Sequence, residues 1–71
     1  MVNIELLKDT IDDRGMSIVR LSEKSGITRA TLYNRLTAKK GEFTASEIVG
    51  ITDALRLTNK ERDSIFFAHQ V

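Results

Sequence analysis

Apolar residues recur every three or four positions along much of the chain, which is the spacing of one face of an α-helix. Near the start, Ile4, Leu7 and Ile11 follow this spacing and predict a first helix that ends at Gly15. No run alternates apolar and polar residues for long enough to predict a pair of β-strands. The pattern is therefore typical of an all-α fold.

A single glycine, Gly26, separates two short helical segments in the middle of the sequence. Ser17 is a favourable N-cap for a second helix over residues 18–25, and a glycine directly after a helix commonly adopts the left-handed conformation that ends it. Ile27 is then expected to enter the core while Thr28 caps the next helix. The segment is predicted to be a helix-turn-helix corner, a shape that also occurs in helical proteins where it has no function of its own.

The third helix is predicted over about residues 28–36. Leu32 and Leu36 are four residues apart, so both fall on one side of this helix, which we expect to face the core. Residues 37–43 are expected to form a loop. The outward positions of the third helix, which remain available to a partner, are Arg29, Ala30, Thr31, Tyr33 and Asn34.

Two further helices are predicted from capping boxes, in which a hydroxyl residue is followed three positions later by a glutamate. Thr44 and Glu47 form one such pair and open a fourth helix. Thr58 and Glu61 form the other pair and open a fifth. The apolar residues of these helices are Ile48, Val49, Ile51 and Leu55 in the fourth and Ile65, Phe66 and Phe67 in the fifth. The sequence thus predicts a bundle of five short helices.

Length and composition restrict the classes of protein that fit. With 71 residues, the chain is expected to form one domain over residues 1–71. It has no cysteine and a single histidine, so neither a disulfide nor a metal site is predicted. No apolar run approaches the ~20 residues needed to cross a bilayer, and the first residues are too acidic for a signal peptide. We expect a cytoplasmic protein without a cofactor or a small-molecule ligand.

Charge is distributed unevenly, although the net charge is only +1. Residues 1–13 carry a net charge of −3, residues 14–40 of +6 and residues 41–71 of −2. The charged residues of the middle third are Arg14, Arg20, Lys24, Arg29, Arg35, Lys39 and Lys40, against Glu23 alone. A basic segment between acidic ones indicates a surface for a polyanion, although such residues also occur on ordinary solvated helices.

The outward side chains of the third helix match the chemistry of base edges in the major groove of DNA. Arg29 can donate two hydrogen bonds to guanine, and Asn34 can both donate to and accept from adenine. Ala30 and the methyl group of Thr31 can contact the methyl group of thymine. Tyr33 either contacts the nucleic acid or lies half-buried against the second helix. These five residues are the candidate base-reading set.

Candidate phosphate contacts flank this helix. The hydroxyls of Ser17 and Thr28 lie at helix N-termini, where main-chain amides and the helix dipole favour an anion. Lys39 and Lys40 follow the third helix and can reach the sugar-phosphate backbone. Base contacts flanked by phosphate contacts are the arrangement that sequence-specific DNA binding requires.

Two consecutive stretches resemble a known family of regulators. The stretch "MSIVRLSEKSGITRATLYNRL", followed by "GEFTASEIVGITDALRLT", is similar to the helix-turn-helix of Cro-type and lambda-repressor-like phage regulators. The landmarks of that motif fall on Leu21, Gly26, Ile27 and Leu32, and the resemblance covers residues 3–68. It implies five helices with the motif on the second and third. It also implies a repressor that binds DNA in a bacterial host cell or nucleoid.

The resemblance further implies roles for individual residues. In that family, bases are contacted by the residues that open the recognition helix and by one residue a turn later. Here these positions are Arg29, Ala30 and Asn34. Phosphates are contacted by the N-cap of the recognition helix and by the start of the second helix, which here are Thr28 and Ser17.

Three positions depart from the family pattern. Ser22 replaces the usual alanine, and Ile18 lies where a polar phosphate contact is common. Arg35 occupies a position that is usually apolar, and Leu36 is expected to take its place in the core. This substitution implies a slightly rotated third helix and makes Arg35 a candidate phosphate contact.

Two classes of function are compatible with these patterns. The first is sequence-specific binding of double-stranded DNA, usually by a homodimer on a palindromic site. The second is a protein-interaction module that keeps the helix-turn-helix shape, supported by the spare apolar residues Leu6, Phe67 and Val71. Leu6 and Val2 are either covered by the fifth helix or form a homodimer contact, and the region of Leu6, Phe67 and Val71 is the candidate homodimer surface. Phe66 is expected to face the core. An enzyme is not expected, because the sequence contains no nucleophile–base pair.

Overall fold

Helices make up most of the computed structural model, which describes residues 2–37 and 42–67. They are α1 (Ile4–Asp13), α2 (Ile18–Ser25), α3 (Arg29–Thr37), α4 (Ala45–Leu55) and α5 (Asn59–Phe66). The described residues contain no strand, so the predicted all-α class with five helices is confirmed. None of the helices in this part of the chain is long and apolar enough to cross a membrane.

A side-chain oxygen accepts a main-chain amide at the start of each of these helices, because the first amides of a helix have no partner within it. The hydroxyls of Ser17 and Thr28 accept the amide three residues further on, at 3.1 and 3.2 Å. Both predicted capping boxes are complete, with Thr44 and Thr58 as the N-caps. Asn3 starts α1 in the same way through its side-chain oxygen, a cap that the periodicity of α1 does not reveal.

Two helix ends differ from the prediction. Helix α1 ends at Asp13, two residues before Gly15, which has a φ of 65°. Helix α3 continues through Thr37, so the connection begins one residue later than expected, and the Thr37 hydroxyl donates to the carbonyl of Tyr33 at 2.9 Å. Residues 38–41, in the middle of the predicted loop, lie outside the described residues.

The core is formed by apolar residues from all five helices and from two of the connections between them. Its buried members are Leu7, Ile11, Leu21, Ile27, Leu32, Leu36, Ile51, Leu55, Leu57, Ile65 and Phe66. The predicted inward positions are confirmed in most cases, but Ile4 and Ile48 are only half-buried. Val49 is 60 % exposed and lies outside the core.

Helix α4 packs more extensively on α2 than on any other helix in the described structure, and Gly50 marks the closest approach. A Cβ atom at position 50 would overlap the main-chain carbonyl of Ser25. Glycine therefore allows the two backbones to come this close. Because α2 also contacts α3, it is the central helix of this half of the molecule.

Helix α5 packs beside α1. The amide of Asn3 donates to the carbonyl of Ile65 at 2.7 Å, and the half-buried Leu6 lines a shallow groove between these two helices. Leu6 is thus covered in part by α5, which was one of the two alternatives. Phe66 is 3 % exposed and Phe67 is 48 % exposed, so the predicted inward and outward orientations are confirmed.

Candidate nucleic-acid interface

The turn between α2 and α3 is built on Gly26, which has a φ of 78° and a ψ of 10°. This left-handed conformation favours glycine strongly over other residues. The hydroxyl of Ser22 donates to the carbonyl of Ile27 at 2.5 Å, and the amide of Ile27 donates to the hydroxyl of Ser25 at 3.3 Å. The predicted corner is present, and Ser22 closes it with a hydrogen bond that the usual alanine does not make.

Helix α3 buries Leu32 and Leu36 and leaves its other side open. Its exposed candidate residues are Arg29, Ala30, Tyr33 and Asn34, and Thr31 is half-buried. Residues four apart are neighbours on a helix, so these side chains form adjacent rows on one surface. The structure therefore brings the candidate base-reading set together.

Tyr33 is 63 % exposed, so the exposed alternative is the one observed. Its ring also lines a shallow groove of about 330 Å³ together with Met16, Ile18 and Leu36. Ile18, which stands where the family commonly has a polar residue, is half-buried and packs against the core. A packing role for Ile18 accounts for its apolar character.

The start of α3 is organised by Thr28. Its hydroxyl accepts the amide of Thr31 at 3.2 Å and donates to the hydroxyl of Thr31 at 3.0 Å. The Thr28 hydroxyl is therefore already engaged within the protein. Ser17 at the start of α2 is exposed, and its side-chain oxygen accepts the amide of Arg20.

An open groove of about 420 Å³ lies between the turn and the start of α4. Its lining residues are Ser25, Gly26, Ile27, Thr28, Thr31, Ser46 and Glu47. Two helix N-termini, those of α3 and α4, meet at this groove, and the partial positive charge of a helix N-terminus attracts anions. Glu47 contributes a negative charge to the same groove, and a neighbouring arginine compensates this charge.

The partner of Glu47 is Arg35. The Arg35 Nε and Nη2 atoms lie 3.1 and 3.2 Å from the two carboxylate oxygens, and both side chains are partly shielded from solvent. Glu47 also accepts the amide of Thr44 at 2.9 Å as part of the capping box. The hydrogen bond from Arg35 is the largest cause that lowers the pKa of Glu47, followed among the lowering causes by the amide of Thr44. The carboxylate is thus charged and paired near neutral pH.

The candidate phosphate contacts are distributed over several places. Ser17 and Thr28 lie at the starts of α2 and α3, as expected. Arg35 is on α3 but turns towards α4, where Glu47 binds it. Lys39 and Lys40 lie outside the described residues, so their contribution stays a prediction.

Sequence reasoning missed the link between α3 and α4. Glu47 is recognisable as a capping residue, and Arg35 is recognisable as a charge at a position that is usually apolar. A charged residue beside the core needs a partner, but nothing in the sequence selects Glu47 from the ten acidic residues. Ser46, which also lines the groove, carries no signal of its own in the sequence.

A short helix, a tight glycine turn and a second helix with an exposed polar side define the class of helix-turn-helix proteins. A comparison with protein families matches residues 7–61 to the Cro/C1-type HTH DNA-binding domain. The chain therefore belongs to this family, and its partner is DNA. Neither the curated proteins nor the solved structures include a significant match to this chain.

Proposed function

We propose that the protein binds double-stranded DNA sequence-specifically, as a transcriptional repressor of the phage type in the cytoplasm of a bacterial host. The observation that carries this proposal is the polar, exposed side of α3, which directly follows the Gly26 turn while Leu32 and Leu36 are buried beneath it. Residues 1–71 act as a single domain without enzymatic activity, cofactor or small-molecule ligand.

In this proposal α3 lies in the major groove, which is about 12 Å wide and admits one helix. Arg29 donates to guanine, Asn34 pairs with adenine, and the small Ala30 allows close approach to a base edge. Thr31 and Tyr33 complete the surface that faces the bases. The exposure of all these residues except the half-buried Thr31 supports their proposed roles.

Phosphate binding is proposed for the residues around α3. Ser17 and Thr28 offer helix N-termini to the backbone, and Lys39 and Lys40 offer positive charges beyond the end of α3. Arg35 contributes through the donors that Glu47 leaves free. A guanidinium has five N–H donors, and Glu47 accepts two of those of Arg35.

Repression follows if the protein occupies an operator that polymerase also needs. One domain of this size reads few base pairs, so we propose a homodimer on two half-sites ~34 Å apart. The contact involves the region of Leu6, Phe67 and Val71. Within it, Phe67 is the most accessible described residue because Leu6 is half-buried against α5, and Val71 lies outside the described residues.

Selection of bound sequences from a random duplex pool tests the proposal. A palindromic consensus supports both specific reading and the homodimer, whereas a pool without enrichment contradicts specific binding.

Arg29→Ala is expected to cost about 1–3 kcal/mol of binding free energy on the selected site and to relax the preference at one base pair. Lys39→Ala is expected to weaken binding to all sequences alike, and Lys60→Ala on α5 serves as the control for a lost positive charge. Identical behaviour of the Arg29 and Lys39 variants across sequences contradicts the division into readers and anchors.

The second candidate is a protein-interaction module. It is favoured by a shallow groove of about 460 Å³ whose lining is apolar except for one arginine: Ala45, Ile48, Val49, Phe67 and Arg62. The salt dependence of duplex binding separates the two functions, because phosphate contacts release counterions and make affinity fall steeply with salt. A flat salt response, or no binding to random duplex at low salt, favours the interaction module.

A further inference from the structure

We propose that Glu47 is a positioning residue for DNA recognition, because through Arg35 it fixes the orientation of α3 relative to α4. Glu47 need not touch DNA in this role. The inference rests on the proposed function of α3 as the helix that contacts bases. It adds to that function the contact that orients α3 and so determines how strongly one DNA sequence is preferred over others.

The geometry of the pair makes it directional. Two parallel N–H···O bonds of 3.1 and 3.2 Å join the guanidinium of Arg35 to both oxygens of Glu47. Such a two-point contact restricts rotation as well as distance, whereas a single charge contact does not. The carboxylate side chain is 15 % exposed, so water competes little for it.

Glu47 is itself tied to the start of α4. Its carboxylate accepts the amide of Thr44 at 2.9 Å, and its own amide donates to the Thr44 hydroxyl at 3.2 Å. The carboxylate therefore cannot follow Arg35 without disturbing the capping box. Among the side-chain hydrogen bonds of residues 2–37 and 42–67, the Arg35–Glu47 pair alone joins α3 to α4.

This polar link complements the apolar contacts of α3. Leu32 and Leu36 hold α3 on the core, but apolar burial is non-directional and permits small rotations about the helix axis. Arg35 follows Asn34 directly and lies one turn beyond Thr31, so fixing Arg35 also fixes the base-reading side. A misplacement of about 1 Å suffices to weaken contacts that depend on bidentate geometry.

The chain contains a second pair in which an arginine binds the glutamate of a capping box, although there a single nitrogen contacts both oxygens. Glu61 completes the capping box of α5 and accepts Arg14 Nη2 at 3.0 Å on both oxygens. Arg14 follows α1, so this pair joins α1 to α5 and involves no residue of α3. Glu61→Gln therefore removes the same charge from an equivalent position away from the candidate interface.

The experiment compares Glu47→Gln with Glu61→Gln. Glutamine also serves in a capping box, so both variants keep the helix start while losing the charged partner of an arginine. Affinities for the selected duplex and for a random duplex are measured at one salt concentration, with thermal melting to confirm that each variant is folded. We expect the ratio of the two affinities to fall about tenfold in Glu47→Gln, the order of one good base contact, and to stay unchanged in Glu61→Gln.

Arg35→Lys provides a second, independent variant. Lysine keeps the positive charge for phosphate but loses the two-point geometry, so the affinity ratio should fall as it does in Glu47→Gln. Glu47→Gln combined with Arg35→Lys should fall no further than either variant alone. Additive losses, or equal ratios in Glu47→Gln and Glu61→Gln, overturn the inference. If the unaltered chain binds both duplexes equally, the proposed function itself is contradicted, and this inference fails with it.

Discussion

The two ends of α4 are each bound by an arginine from an earlier part of the chain. Both arginines bind a glutamate, but one of them also binds the main chain of α4. At the start of α4, the side-chain hydrogen bonds of Arg35 within the described residues all go to the carboxylate of Glu47. At the other end, Arg14 donates from Nε to the main-chain carbonyl of Leu55, the last residue of α4, at 3.1 Å and from Nη2 to Glu61. The glutamate side chains are also unequally accessible, at 15 % exposure for Glu47 and 40 % for Glu61.

This difference separates two uses of the same chemistry. At the end of α4, a cation close to the last carbonyls opposes the negative end of the helix dipole and connects α4, α5 and α1. At the start of α4, the arginine belongs to α3, which carries the candidate interface. Replacement at the end is therefore expected to affect mainly the stability of the fold, and replacement at the start to affect recognition as well.

The largest expected effect comes from displacing α4 from α2, because the arginine contacts at both ends of α4 require that helix to be in place. In an open helix, Gly→Ala stabilises by about 1 kcal/mol. At Gly50 the added Cβ meets the carbonyl of Ser25, and a main-chain group cannot turn aside as a side chain can. We expect Gly50→Ala to lower the free energy of unfolding by about 2 kcal/mol, measured by urea denaturation.

Gly26→Ala is the control for Gly50→Ala. An added Cβ at position 26 meets nothing within 4 Å, so the cost is only that of the left-handed backbone, about 1 kcal/mol. A Gly50→Ala variant as stable as the unaltered chain would show that α2 and α4 can move apart without loss.

The next prediction concerns how strongly the pKa of each glutamate depends on its arginine. Arg35 is the largest cause that lowers the pKa of Glu47, whereas the amide of Thr58 is the largest cause for Glu61, ahead of Arg14. Arg35→Gln should therefore raise the pKa of Glu47 more than Arg14→Gln raises the pKa of Glu61. NMR titration of the side-chain carboxyl carbons measures both. Equal shifts would contradict the difference between the two ends.

The stability that the Arg35–Glu47 pair contributes should decrease as the pH falls. A carboxyl whose pKa is lowered by folding stabilises the fold above its unfolded pKa of about 4.3, and this contribution is lost as the pH falls through the lower folded value. Arg35→Gln should cost about 1 kcal/mol at pH 7, because the pair is partly exposed, and much less near pH 3. Thermal melting at the two pH values checks this loss of pH dependence.

The smallest effect concerns the residue that ends α4. Arg56 has a φ of 55° and a ψ of 50°, and the amide of Leu57 donates to the carbonyl of Thr52 at 3.0 Å across this turn. Glycine is preferred at such a position, so Arg56→Gly should stabilise the fold by about 0.5–1 kcal/mol. Arg56→Ala keeps the backbone strain and removes the charge, and should give no such gain. Denaturation midpoints of the two variants decide whether strain or charge matters there.

Helix starts and the turn could be predicted because their causes are local. A hydroxyl at Ser17, Thr28, Thr44 or Thr58 bonds to an amide two or three positions away in any fold that contains the helix. Gly26 likewise adopts its conformation for reasons that lie within the turn. The side of α3 that faces solvent followed from the spacing of its leucines.

The remaining features depend on residues that are distant in sequence. The Arg35–Glu47 pair and the close approach of Gly50 to Ser25 exist only after α4 has packed on α2. The left-handed Arg56 has no sequence signal, since arginine is not typical of that conformation. For the candidate site, exposure could be predicted from periodicity, whereas the orientation of Arg35 could not.

The crossing of α2 and α4 also limits how far the protein can be shortened. A synthetic peptide of residues 17–37 would contain every candidate base-reading residue, yet its helices of eight and nine residues are shorter than the ~12–15 residues that an isolated helix needs in water. It would also lack α4, the helix that packs most extensively on α2 in the described structure. A shortened DNA-binding fragment of this chain must therefore extend at least through residue 55. Otherwise a chemical cross-link between α2 and α3 must replace α4.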